Sequence, residues 1–193
     1  MNFIKQRYSR RGLWSLFLLC AFPLHLWTLI MVFRDLSWVA ERTNAWDAVG
    51  VASYGMIFAF AETVLVFLVI ALLGLFTPAS WSYERRIGFL SLLVLITSLW
   101  AIFSQLFFLW NMSLPNAVAQ FLRSSGHALR FIYAGVLVVV IPTVLLPIYF
   151  YVRSNKAITV MQDLVDRFSS VASFYLFFDL LGLIIVIFRN ISG

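Results

Sequence analysis

Three ionisable side chains fall inside long apolar stretches of this sequence: His25, Glu62 and Asp179. The other acids, Asp35, Glu41, Asp47, Glu84, Asp163 and Asp166, lie between those stretches. A charge in hydrocarbon is costly, so such groups usually face a helix bundle's interior, pair with one another, and mark ligand sites or proton paths. Two kinds of chemistry follow. One is a hydrogen-bonded clamp, in which Glu62 or Asp179 meets His25, Gln105 or a backbone carbonyl. The other is a proton or cation relay, or a site for the polar group of a ligand.

The elements that must position these residues are helices. A bilayer core about 30 Å thick needs about 20 helical residues to cross it. Apolar runs of that order cover residues 13–33, 54–76, 87–110, 131–152 and 171–188, and the second run extends back as far as Ala48. The expected fold is therefore all-α, a polytopic membrane helical bundle of five transmembrane helices in a single domain over 1–193. The four basic residues before the first run, Lys5, Arg7, Arg10 and Arg11, resemble the start of a signal peptide. The run they precede is longer than a cleaved leader's apolar region, and it reads as a retained anchor.

Facing can be read from spacing. Gly55, Ala59 and Glu62 share a stripe, as do Ala172, Tyr175, Asp179 and Gly182. Ala21, His25 and Thr28 align in the first run, and Gly88, Ser91, Ser98, Ala101 and Gln105 in the third. Small and weakly polar residues collect where membrane helices meet. The four stripes are expected to face one another and to gather His25, Glu62, Gln105 and Asp179 into one buried polar cluster, with Phe and Leu turned to lipid. In the fourth run Pro142 and Pro147 each remove an N–H and free a carbonyl, at Val138 and Thr143, which predicts a helix break.

Short interfacial helices are expected in the loops. Residues 113–126 read as one, with Ser113 as cap, Pro115 in the first turn and Gly126 as the stop. Residues 155–169 read as another, with Ile158, Met161, Leu164, Val165 and Phe168 on one stripe and Asp163 and Arg167 spaced to pair. Trp38, Trp46, Trp81 and Trp110 suit the headgroup level as anchors.

Composition agrees with a membrane protein. Of 193 residues, 63% are apolar and 11% charged, against about 45–50% and about 25% in soluble domains. The mean hydropathy of +0.96 points the same way. A water-soluble enzyme is thereby excluded, and so is disorder. The single Cys20 excludes internal disulfides and thiolate zinc sites, and two histidines are too few for a His-rich metal cluster, so neither metal nor cofactor is expected. With the N-terminus inside, nine Lys and Arg residues fall on inner segments and five on outer ones. The positive-inside rule then predicts N-in and C-out in a cell membrane. The net charge of +6 belongs to topology and to anionic headgroups, and nucleic acid is not an expected partner.

The sequence contains no P-loop, dinucleotide fingerprint, HExxH or GxSG motif, and no catalytic residues are assigned. An accessory or scaffold subunit that binds lipid or a protein partner, or a homo-oligomer, is the leading expectation. A small proton- or cation-coupled transport protein using Glu62 and Asp179 is the alternative, and a membrane-embedded enzyme comes third.

Overall fold

A computed structural model describes residues 7–192, which fold as α1 (Arg10–Arg42), α2 (Ala45–Leu73) with a closing 3-10 turn (Gly74–Phe76), α3 (Tyr83–Leu109), α4 (Asn116–Ser124), α5 (Ala128–Arg153) and α6 (Asn155–Ser192). Lys5, one of the charges behind the expected orientation, lies outside those residues. The described chain is all-helical, and α1, α2, α3, α5 and α6 are each long and apolar enough to cross a membrane.

The caps explain where the helices start. The Ser9 hydroxyl accepts from the Gly12 N–H to open α1. Asn44 opens α2 by accepting from the Asp47 N–H and donating its amide to the Asp47 carboxylate. Only Thr43 and Asn44 separate α1 from α2, so these two helices pack antiparallel along their length.

Helices α1 and α6 run parallel. Ser169 donates to the Ser15 carbonyl, and His25 meets Asp179. Both contacts are 154 residues apart in sequence, which puts the two helices in register. The buried face of α6 is one stripe, Met161, Val165, Ser169, Ala172, Tyr175, Asp179 and Gly182, at the three- and four-residue spacing of a helix edge. Phe174, Phe177, Phe178 and Leu181 lie on its exposed side.

The centre of the fold is thus α1, α2 and α6, joined by the first half of α3. Among the described residues, burial on α3 stops at Val94, and on α5 it is confined to Tyr151. Tyr151 sits at the end of α5 and donates to the Arg85 carbonyl, while the Trp100 indole donates to the Thr143 hydroxyl further along. The most apolar stretch of α5 has no buried residue at all.

Several expected boundaries change. The predicted break at Pro142 and Pro147 is absent: α5 is helical through both prolines. Thr143 donates back to the carbonyls of Val139 and Val140, within the turn that the prolines disturb. The segment 155–169 is not a separate interfacial helix but the start of α6. Its Met161 and Val165 join Leu19, Cys20, Val94 and Tyr151 in the core, because the neighbouring ends of α3 and α5 offer an apolar surface to cover. Asp163 and Arg167 do pair on its exposed side, at 2.9 Å. The short helix expected over 113–126 begins at Asn116 with Pro115 at its cap, not at Ser113. Its stop is at Gly126, whose φ of 67° is the left-handed conformation that glycine tolerates.

Close approach is enforced at Gly182, where an added Cβ would lie 3.1 Å from the Ser53 carbonyl oxygen of α2. On α5, by contrast, nothing lies within 4 Å of a Cβ at Gly135. Gly182→Leu should therefore cost about 1–3 kcal/mol through overpacking against backbone. Gly135→Ala should stay within about 0.5 kcal/mol of the parent or exceed it. Unfolding in mixed micelles checks both, and equal effects at the two sites would contradict the packing described.

Candidate functional site

The stripe on α6 and the stripe on α1 bring Asp179 and His25 together. The imidazole is fully buried, and its Nε2 lies 3.0 Å from each oxygen of the Asp179 carboxyl group. Its Nδ1 lies 2.8 Å from the Ala21 carbonyl oxygen, one turn back on the same helix. A ring nitrogen facing a carbonyl must carry the hydrogen, so Nδ1 is the donor there. That assignment fixes the rest. Nε2 and the carboxyl group share one proton between them, held either as imidazolium and carboxylate or as imidazole and carboxylic acid. The pair is electrically neutral in both forms, which is the condition for burying two ionisable groups among apolar helices.

Packing holds the ring in this orientation. Tyr175 stacks on the imidazole at 5.4 Å between centroids and 6° between planes. Tyr175 lies on the same face of α6 as Asp179, one turn earlier, so a single helix surface supplies both the partner and the platform. Asp179 keeps 8% of its surface exposed. It lines a cavity of about 510 Å³ between α1, α2 and α6, walled by Trp14, Phe17, Phe60 and Leu183, and among the described residues it is the only ionisable one there.

The expected four-residue cluster does not form. Glu62 is exposed, and it lines a different groove, between α1 and α2, that shares no residue with the cavity beside Asp179. Its stripe neighbour Ala59 is buried. Glu62 sits about 60° further round the helix, enough to carry it past the edge of the contact. Gln105 is also exposed, because α3 has left the centre of the bundle before reaching it. Pro142 and Pro147 belong to a continuous α5, remote in role from the pair. Trp38, Trp46 and Trp110 are more than half exposed. Arg42 stacks over Trp38, Arg85 lies beside Trp81, and Arg189 lies beside Trp46. Among the described residues, no three His, Cys, Asp or Glu side chains converge as a metal would require.

One polar centre was not anticipated from sequence. Arg86 is 1% exposed. Its guanidinium donates to the Thr77 hydroxyl and to the carbonyls of Arg7, Pro78 and Trp81. Arg7 in turn donates to the Thr77 carbonyl, and the Tyr8 hydroxyl to the Ala71 carbonyl. Burial pushes the Tyr8 phenol above its ordinary pKa, against a smaller opposing pull from Arg86 and Arg7, so it remains a donor. This network ties the segment before α1 to the loop between α2 and α3. The available signal was the pair Arg85-Arg86: consecutive helical residues point about 100° apart, so the two arginines meet different surroundings.

No protein-family model matches the sequence, and no curated protein or solved structure is similar to it. The class therefore rests on the fold itself: a helical bundle with five helices apolar and long enough to span a membrane, and a buried histidine–carboxylate pair joining its first and last long helices.

His25→Leu should destabilise by about 3–5 kcal/mol, since it strands a buried carboxyl group. The double variant His25→Leu/Asp179→Leu should recover most of that loss. Asp179→Asn should cost less than about 1.5 kcal/mol, because its amide N–H donates to Nε2 in place of the shared proton. Denaturant titration of the four proteins reads the series, and a double variant no better than His25→Leu would show that the pair is not coupled.

Proposed function

We propose that the chain is an integral membrane protein that acts as an accessory or scaffold subunit, binding lipid or a protein partner through its helices. The observation that supports this best is the separation of the two mid-helix carboxylates. A carrier that moves a proton or cation through Glu62 and Asp179 needs both on one polar path. Asp179 instead meets His25 beside an apolar cavity, while Glu62 faces a separate groove. The exposed apolar length of α5 is further surface for lipid or a partner. The one proton shared by His25 and Asp179 keeps a proton-coupled transport role as the second reading.

In the same reading the N-terminus lies inside and the C-terminus outside, in the cell membrane. Arg7, Arg10, Arg11, Arg85, Arg153 and Lys156 gather at the end of the bundle where α1, α3 and α6 begin. At the opposite end, Arg34 and Arg189 are matched by Asp35 and Asp47, at 2.7 and 2.8 Å. Lys and Arg retained on the cytoplasmic side set orientation.

Purification from native membranes in mild detergent should yield the chain with a stoichiometric protein partner or a defined lipid. Glu62→Gln and Asp179→Asn should leave proton flux unchanged. A lone homo-oligomer whose proton flux disappears in both amide variants would overturn the accessory role in favour of transport. A C-terminal reporter should be active only outside the cell.

A further inference from the structure

Glu62 has a requirement that nothing in its surroundings meets. It lies near the middle of α2 and is exposed, and no hydrogen bond or ion pair joins it to any described residue. It lines a groove of about 340 Å³ between α1 and α2, together with Thr28, Val32, Asp35, Ala52 and Gly55. Among the described residues no lysine or arginine lines that groove, and its second carboxylate, Asp35, is already paired with Arg34. His25, the ionisable group on the neighbouring stretch of α1, is committed to Asp179.

At mid-height of a membrane span, a lone carboxylate faces either a large desolvation cost or protonation, and protonation still leaves a polar O–H and C=O in hydrocarbon. An acyl chain fills volume but offers no donor. A polar side chain on another helix does, and such groups hold membrane helices together. The groove is long enough for a helix contact: Gly55 and Glu62, both in its lining, lie two turns apart, about 10 Å along the axis.

We propose that the α1–α2 groove seats a transmembrane helix of a partner protein whose mid-span lysine or arginine pairs with Glu62. This rests on the accessory reading above and names the partner's chemistry and its seat. The acidic groove lacks a cation, and the partner supplies one, so the joined pair is neutral inside the bilayer.

The test uses the full-length protein, fluorophore-labelled, in phosphatidylcholine vesicles. Two Leu/Ala transmembrane peptides with identical flanks are added, one with a central lysine and one with a central leucine. Energy transfer to the lysine peptide should reach half-saturation at a peptide-to-lipid ratio at least about tenfold lower than for the leucine peptide, the ratio a 1.4 kcal/mol advantage gives. Glu62→Leu and Glu62→Gln should remove that preference, and Glu41→Gln should retain it. Leucine suits a lipid-facing position, so loss of folding is not expected, and helicity by circular dichroism verifies that. No preference for the lysine peptide, or a preference that survives in Glu62→Leu, overturns the proposal. Transfer between copies of the protein alone that vanishes in Glu62→Leu would put a second copy in the groove and also overturn it. If a native partner copurifies equally well with Glu62→Leu, the accessory role stands and this seat falls. If the lysine preference holds but no partner copurifies, the seat stands and the accessory role falls.

Discussion

The contact between His25 and Asp179 closes the fold. It joins the first long helix to the last across 154 residues of sequence, and among the described residues no other polar side-chain pair does so from within the bundle. Its consequences reach outward. Parallel packing of α1 and α6 is set in register by this pair and by Ser15 and Ser169. Helix α2 then fills the remaining side, allowed close by Gly182 against Ser53 and by Gly50 against Arg189. Helices α3 and α5 are added at one end, where Arg86 and Tyr151 supply the polar ties.

The middle of the molecule and one of its ends solve the same problem differently. At mid-height, a histidine and a carboxyl group neutralise each other with a single proton. At the end where α3 begins, Arg86 keeps its positive charge and is solvated by carbonyls and one hydroxyl, with no carboxylate beside it among the described residues. Carbonyl dipoles can stand in for water around a guanidinium because its five N–H groups spread in a plane. Both arrangements satisfy the rule that a buried polar group is costly chiefly when left unpaired.

How much of this is legible in the sequence differs from residue to residue. The Asp179 stripe is readable because Tyr175, Asp179 and Gly182 interrupt a stretch, 174–188, whose other residues are all Phe, Leu, Ile or Val. The partnership with His25 follows once both are placed at the same depth. Glu62 is misread because a small-residue stripe tells which face of a helix is contacted, not how wide the contact is. Ala59 lies at its centre and Glu62 past its edge. Gln105 fails for another reason: periodicity has no information on where along its length a helix departs from its neighbours, and α3 departs after Val94. Arg86 is hidden because a basic residue at a helix end has an easy explanation in topology, which conceals its role in packing.

The joining of first and last helices also sets a schedule for biogenesis. A ribosome adds about 5–20 residues per second, so roughly 8–30 s separate the emergence of His25 from that of Asp179. Through that interval the nascent α1 and α2 sit together with an imidazole whose eventual partner has not yet been made. Its Nδ1–H is already satisfied by the Ala21 carbonyl within the same helix turn, so only Nε2 waits, and a neutral ring leaves it as a bare lone pair. The local hydrogen bond thus leaves an incomplete chain with one ring acceptor to satisfy, and only the arrival of the last helix satisfies it.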